Sequence, residues 1–230
     1  MQSRLGPPPD VGGVVFDMDG VLVNSSEIHR QAFEELLTPL GVPFEYNRFA
    51  GRRTLEVLRE AFAAREPAYQ VTEEQLADYA VRKSGRSREL LAAANGNLMP
   101  GCVKVLTALA DRFVLALASS GSRSSVQAFL ESAQLHHVFR VVLTGDDVTQ
   151  AKPDPEIFRR AMAQLGVEPA RCVVIEDSVA GVEAARLAGA RPIGFGRTQS
   201  AALQAAGAEE VIDSLEELPA LFGAKQRTWL

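Results

Sequence analysis

Read for its alternation of apolar and polar positions, the chain divides into short apolar runs and longer amphipathic stretches. From residue 101 onward the runs are "FVLALAS" (113–119), "FRVVLTG" (139–145), "CVVIED" (172–177), "RPIGFG" (191–196) and "EEVID" (209–213). Each is short, rich in Val, Ile, Leu or Phe, and bounded by turn formers, which is the pattern of parallel strands covered on both faces. The stretches between them carry apolar residues at helical spacing: Leu106, Leu109 and Ala110; Val126, Phe129 and Leu130; Ile157, Ala161 and Leu165. Gly166 and Gly189 stand where helix stops are needed. Repeated strand–helix alternation predicts βαβ units with right-handed crossovers and an open α/β sheet.

"VGGVVFDM" is the first strand of this pattern, but no second strand follows it directly. Residues 25–98 read as helices instead. "SSEIHRQAFEELLTPLG" places Ile28, Ala32, Phe33, Leu36 and Leu37 on one stripe with Gly41 as its stop, and "RRTLEVLREAFAA" and "TEEQLADYAVRKSGRSRELLAAANG" continue in the same way. The expected organisation is a core of residues 1–24 and 99–230 interrupted by an all-helical insertion at 25–98. An insertion placed just after a strand's carboxyl end sits over the ligand edge of an α/β sheet, where a lid belongs.

Composition narrows the setting. The 230 residues are 47% hydrophobic and 23% charged, ordinary values for a globular protein. No apolar window approaches a membrane span, and "MQSRLGPPPD" lacks an apolar segment of signal-peptide length. The formal charge of −5 weighs against nucleic acid as a partner. The two cysteines, Cys102 and Cys172, belong to no CxxC or Cys/His cluster and read as buried small residues. A reducing, cytoplasmic setting and a monomer or weak homo-oligomer are expected.

The candidate chemistry lies at the strand exits, because ligands bind outside the carboxyl ends of an open parallel sheet. The first strand ends in Asp17 and Asp19, the run at 113–119 in Ser119, Ser120 and Gly121, and the run at 172–177 in Glu176 and Asp177; Lys152 follows a further strand. Asp17, Asp19, Glu176 and Asp177 crowded into one crevice would repel one another unless their pKa values rise or a cation is held. Oxygen ligands without His or Cys suit Mg²⁺. The turn at Ser119–Gly121 offers a hydroxyl and N–H groups to phosphate oxygens, and Lys152 adds fixed positive charge. These are the parts of phosphoryl transfer. Asp17 would be the nucleophile, and Asp19, projecting from the same side of the chain, the general acid and base. Gly20 would let the backbone turn away.

"DMDGVLVNSSE", "LALASSGS", "AKPDPEIF" and "VVIEDSVAGVEAARLAGA" resemble, in order, the signature motifs of the haloacid dehalogenase-like superfamily, in its phosphatase and beta-phosphoglucomutase-like branch with a helical cap. The resemblance implies a Rossmann-like, doubly wound α/β core with an inserted helical cap, and a Mg²⁺-dependent aspartyl-phosphate mechanism. It places the nucleophile at Asp17 and the acid/base at Asp19, whose backbone carbonyl also binds metal. Ser119 binds phosphate, Lys152 supports the nucleophile, and Asp177 with Glu176 completes the metal site. Asn24 stands where this branch usually has Asp, which keeps a hydrogen-bonding role without the charge.

Within the helical insertion, His29 could face the cleft, and mutase-like members carry a His at this place. Arg53, in the loop with Gly51 and Arg52, could meet a phosphorylated substrate, and Lys83 resembles a cap lysine that reads substrate. Each could equally be a solvated or packing residue, and Asp146–Asp147 reads as a solvated loop pair. The favoured function is hydrolysis of a small phosphorylated metabolite of the sugar phosphate or phosphoglycolate type. A sugar phosphomutase, a dehalogenase, a phospho-accepting signalling module and an idle binding protein are the alternatives.

Overall fold

Side-chain parity along the strands builds the layers. In β1 (Gly13–Phe16), Val14 and Phe16 enter one hydrophobic layer and Val15 the other. Leu115 and Leu117 of the strand Val114–Ala118 join Phe16, while Ala116 and Ala118 join Val15. Val173 and Ile175 likewise oppose Cys172 and Val174 in the strand Cys172–Glu176. Strict two-residue alternation with both faces buried is what a doubly covered parallel sheet demands.

The computed structural model describes residues 11–49, 52–65, 70–93, 97–196 and 199–223. The proline-rich N-terminal stretch, Gly51 and Trp229 lie outside them. The sheet has six parallel strands in the order β3-β2-β1-β4-β5-β6, with β2 Val114–Ala118, β3 Val141–Leu143, β4 Cys172–Glu176, β5 Arg191–Phe195 and β6 Glu210–Ile212. All six follow the apolar runs seen in the sequence. The order reverses at β1, so the crevice between β1 and β4 is the topological switch point where such sheets bind ligands.

Among the described residues between β1 and β2, four α-helices form a body of their own: α1 (Ser26–Leu37), α2 (Tyr46–Phe49), α3 (Thr54–Ala63) and α4 (Glu73–Ala93). Their apolar faces close on a separate core around Phe33, Leu37, Val57, Leu58 and Phe62, and Phe44 stacks on Phe49 at 5.4 Å. The described residues of this body contain no strand. It joins the sheet domain through crossing chains that hold each other: Asn24 N–H donates to Asn97 O at 2.9 Å, and Asn97 Nδ2 donates to Asn24 O at 2.7 Å. Asn24 therefore serves the junction through its backbone.

Helices α5 (Cys102–Ala110) and α6 (Arg123–Ala133) cover one face of the sheet, and α7 (Glu156–Leu165) and α8 (Val179–Leu187) the other; α9 (Ser200–Ala206) packs beside α8. A short α10 (Leu218–Leu221), which the sequence pattern did not suggest, seals the first face with Leu218 and Phe222. Cys102 and Cys172 are both buried and unpaired. Among the described residues no helix is long and apolar enough to cross a membrane.

Phe158 of α7 is wholly buried beneath the strand ends. Phe158→Ala should cost about 3–5 kcal/mol by loss of buried contact and creation of a cavity. Urea unfolding of the purified variant measures this, and a loss below about 1 kcal/mol would show that the site collapses freely.

Candidate active site

Register brings the chemistry together. Phe16 lies level with Leu117 on one side and Ile175 on the other. The residues that follow are Asp17, then Ala118 and Ser119, then Glu176 and Asp177, so their side chains emerge at one edge. Asp17 N–H still pairs with Ile175 O at 3.0 Å. Asp17 shares the parity of Val15 and turns toward α7. There Lys152, 1% exposed, donates from Nζ to Asp17 Oδ1 and to Glu176 Oε1, each at 2.6 Å, and to Ala118 O at 3.2 Å. The same ammonium lies 4.9 Å above the Phe158 ring. The Lys152–Pro153 peptide is cis.

Glu176 has both oxygens engaged. Oε1 meets Lys152, while Oε2 accepts from Ser178 N–H at 3.1 Å and Ser178 Oγ at 2.9 Å. Ser178 is in turn the N-cap of α8, accepting from Gly181 N–H at 3.1 Å. Any Cβ at Gly181 would collide with the Glu176 carboxylate. Glu176 is thus a fixed counter-charge for Lys152 behind the site. Asp177 makes no hydrogen bond or ion pair to a described residue. Gly20, at φ +80°, passes so close to Asp177 that a Cβ would strike its carboxylate. Only glycine tolerates both that approach and that φ.

The three aspartates are shifted, and not in the same sense. Burial, opposed by Lys152 and reinforced by Glu176 and Asp19, lifts the Asp17 pKa to about 8. Burial, then Glu176 and Asp17, raises Asp177 well above the usual carboxylate value. Burial alone would lower Lys152, but Asp17 and Glu176 outweigh it and hold the amine above its ordinary value. Asp19 runs the other way. Its burial is overcome chiefly by His29, with Ser25 and Lys83 adding, and its pKa falls to about 2.

Period-two geometry does not carry as far as Asp19. The strand ends at Phe16, and the N–H groups of Leu22 and Val23 both close on Met18 O, at 2.9 and 3.0 Å, winding the chain into a tight loop. Asp19 therefore faces the helical body while Asp17 faces Lys152. Asp19 Oδ1 accepts from Ser25 Oγ at 2.7 Å and meets His29 Nε2 at 2.9 Å. Lys83, 5% exposed, lies 2.8 Å from His29 Nδ1. An ammonium only donates, so Nδ1 accepts and the ring proton sits on Nε2, pointed at Asp19. Burial, partly offset by Asp19, lowers the Lys83 pKa to about 8, and its Nζ sits 4.4 Å from the Phe33 ring centroid.

Ser119 is fully buried. Its Oγ accepts Gly121 N–H at 3.0 Å, which leaves its own proton to donate. A Cβ on Gly121 would lie 3.1 Å from Ser119 Oγ and 3.8 Å from Asp19 Oδ2. The α6 N-cap is Ser122, one residue beyond this turn. Asp19, His29, Arg53, Lys83, Ser120 and Gly121 line one cavity of about 700 Å³ between the helical body and the sheet edge. Arg53 reaches across it to the sheet domain, donating to the backbone carbonyls of Gly145, Val148 and Thr149.

Two features were not read from the sequence. Asp146 is exposed, as a solvated loop residue is, but the pair also has structural partners: Asp147 closes a capping box with Thr144 and pairs with Arg123 at 2.5 Å, while Asp146 accepts Arg123 N–H. They pin the 144–147 turn against the start of α6. Tyr46 of α2 is the other: burial, followed by the negative charge of Asp177 and Asp19, drives its phenol pKa upward. A lone Tyr in a four-residue helix carries no motif that would have found it.

Among the described residues no three His, Cys, Asp or Glu side chains are arranged as a ready metal cage. Glu176 has both oxygens engaged and Asp19 Oδ1 is held by Ser25 and His29, whereas Asp17 Oδ2 and both Asp177 carboxylate oxygens accept no hydrogen bond from a described residue.

The sequence also matches known proteins. Residues 11–189 fit the family model of haloacid dehalogenase-like hydrolases. The chain is 32% identical over 221 residues to protein CbbY of Cereibacter sphaeroides, covering 93% of this chain and 96% of that one. It is also 32% identical over 222 residues to a phosphorylated carbohydrates phosphatase of Thermotoga maritima, covering 89% and 98%. A hydrolase from Pseudomonas syringae superposes with a TM-score of 0.80 at 26% identity, covering 94% and 100%. The chain therefore belongs to the haloacid dehalogenase-like hydrolases.

Proposed function

We propose that the chain is a Mg²⁺-dependent phosphatase that hydrolyses a small phosphorylated metabolite, of the sugar phosphate or phosphoglycolate type, through an aspartyl phosphate at Asp17. Residues 25–98 act as the cap and the remainder as the catalytic core. The observation that carries this reading is the buried Asp17 carboxylate, gripped by Lys152 at the switch point, one strand from the Ser119 turn and next in sequence to Met18 and Asp19, which line the cavity. Relatives whose names denote phosphorylated carbohydrate or sugar phosphate chemistry support the substrate class.

In the first step an oxygen of Asp17 bonds to phosphorus as the ester P–O bond breaks, and Asp19, entering protonated, gives its proton to the departing alkoxide oxygen. In the second, water attacks phosphorus, its proton passes to the Asp19 carboxylate, and the bond from phosphorus to Asp17 breaks to release inorganic phosphate. Asp19 as held by His29 and Ser25 is ionised, the form that the second step needs. For the first it leaves His29 and takes up a proton. Lys152 keeps Asp17 oriented, and Ser119 Oγ donates toward the phosphoryl oxygens. Closure of the cap excludes bulk water.

The donor set fits Mg²⁺, being hard oxygens only: Asp17 and Asp177 would be partial ligands, leaving the other positions to phosphate and water. The Asp19 backbone carbonyl would complete the protein's share, and Glu176 acts from behind through Lys152. When bound, the ion offsets the negative charge shared by these carboxylates and the substrate phosphate.

Asp17→Asn should abolish phosphate release from p-nitrophenyl phosphate while circular dichroism stays unchanged; retained turnover removes Asp17 as nucleophile. Asp19→Asn should slow release by roughly a hundred- to ten-thousandfold, and a near-normal rate excludes its acid/base role. Metal dependence has a separate readout in stability. Asp17 and Asp177 have folded pKa values above their unfolded ones, so the folded state holds protons that the unfolded state releases. In EDTA, stability should fall as pH rises from about 4 toward about 8. Asp19 acts only at lower pH, between its folded value near 2 and its ordinary value. Mg²⁺ should therefore raise Tm more at pH 8 than at pH 5. An equal shift, or none, at the two pH values rejects binding between these carboxylates.

A further inference from the structure

The described residues include three lysines, and two of them are spent on carboxylates. Lys152 lies between Asp17 and Glu176, and Lys104, at the surface, pairs with Glu216 at 3.3 Å. Lys83 differs. It is 5% exposed, and its hydrogen bond runs to a neutral ring nitrogen, His29 Nδ1, at 2.8 Å. The Phe33 ring centroid stands 4.4 Å from the same amine. Asp19 acts on it only from the far side of the imidazole, which it meets at Nε2. A buried ammonium with no carboxylate in contact is poorly solvated, and this favours the neutral amine. Burial, offset in part by Asp19, accordingly brings Lys83 down to about 8.

The amine is also placed to meet a ligand. Lys83 lines the same cavity as Asp19 and as Ser120 and Gly121 of the phosphate turn. One imidazole separates its nitrogen from the Asp19 carboxylate. A phosphate ester seated at that turn presents its bridging oxygen to Asp19, so a carbonyl a few bonds further along the ester comes within reach of Lys83. Amine, imidazole and carboxylate hydrogen-bonded in series form the kind of array that orients side-chain nucleophiles. The amine keeps an N–H for Nδ1 in both charge states, so the bond that positions it survives deprotonation. At neutral pH an ordinary surface lysine has a neutral fraction roughly a hundredfold smaller than an amine lowered this far.

Resting on the phosphate site of the reading above, we propose that Lys83 is a covalent capture site for phosphorylated aldehydes, such as the open-chain form of an aldose phosphate. The neutral amine bonds to the carbonyl carbon, the carbonyl oxygen leaves as water with the two amine hydrogens, and an imine joins Nζ to the ligand. No oxidant or reductant is needed, and water reverses the step. The phosphate selects this amine by holding the carbonyl beside it. The captured aldehyde fills the cavity and slows turnover until the imine is hydrolysed.

The test treats the full wild-type chain with pyridoxal 5′-phosphate in EDTA at neutral pH, reduces any imine with borohydride and maps the adducts by peptide mass. The sequence has only four lysines, Lys83, Lys104, Lys152 and Lys225, so each adduct is assigned without ambiguity. Lys83 should be labelled at least about tenfold faster than the exposed Lys104, a margin within what its neutral fraction provides. Inorganic phosphate should slow that labelling, and pyridoxal, which lacks the phosphate, should label Lys83 more slowly by a similar factor. An equal rate at Lys104, no adduct on Lys83, or equal labelling by pyridoxal overturns the inference. Hydrolysis of p-nitrophenyl phosphate by untreated enzyme in Mg²⁺ tests the phosphatase reading separately. Hydrolysis without a Lys83 adduct overturns the inference alone. A phosphate-dependent Lys83 adduct without hydrolysis upholds the inference and overturns the phosphatase, and the absence of both overturns both.

Discussion

A lysine ammonium buried between two carboxylates is the constraint around which the rest is arranged. Lys152 at 1% exposure bridges Asp17 and Glu176 at 2.6 Å each. Stranding a buried charge by removal of its partner costs about 3–5 kcal/mol, so these three groups must arrive together or not at all. They come from β1, from the loop before α7 and from the end of β4. The parallel register of β1 and β4 brings the carboxylates level, and Ser178 holds Glu176 through the cap of α8. One ammonium does not balance Asp17, Glu176 and Asp177. The surplus negative charge, visible as raised pKa values at Asp17 and Asp177, is what suits the crevice to a divalent cation and a phosphate that shares it.

Around this fixed centre the helical body supplies what the sheet lacks. Asp19 belongs to the sheet domain by sequence but is oriented by Ser25 and His29 of the insertion, and through His29 by Lys83. The acid/base candidate is therefore set by the cap, and its charge state depends on where the cap stands. Arg53 holds the two bodies against each other by its bonds to the carbonyls of the 145–149 loop. That loop is itself stiffened by Asp147 and its capping box. Crossing chains at Asn24 and Asn97 provide the junction. The outcome is a cavity with a rigid, charged floor and a wall made by α4.

Much of this was legible in the chain. The six apolar runs became the six strands, the amphipathic stretches became the major helices, and the ordered motifs pointed to Asp17, Ser119, Lys152, Glu176 and Asp177. Those residues follow strands directly, and period-two parity plus parallel register leaves their side chains little freedom. Legibility failed where a residue's partner lies on another element with no periodic signal. Tyr46 in a short helix, Asp146–Asp147 as a loop clamp, and the bonds of Arg53 to backbone carbonyls are of this kind. Asp19 is the instructive case: its identity was plain, but its direction was misjudged because the strand stops three residues earlier and the turn at Gly20 resets the geometry.

The sequence by itself determined the α/β class, the helical insertion and the residues delivered to the sheet edge, because each rests on local periodicity or on a motif at a strand end. Only the tertiary structure decided which carboxylates are paired and which are not, how His29 and Lys83 reach Asp19, and that α4 and α6 wall one cavity. Those outcomes depend on distances between side chains far apart along the chain, and such distances are set by packing of whole elements rather than by any local pattern.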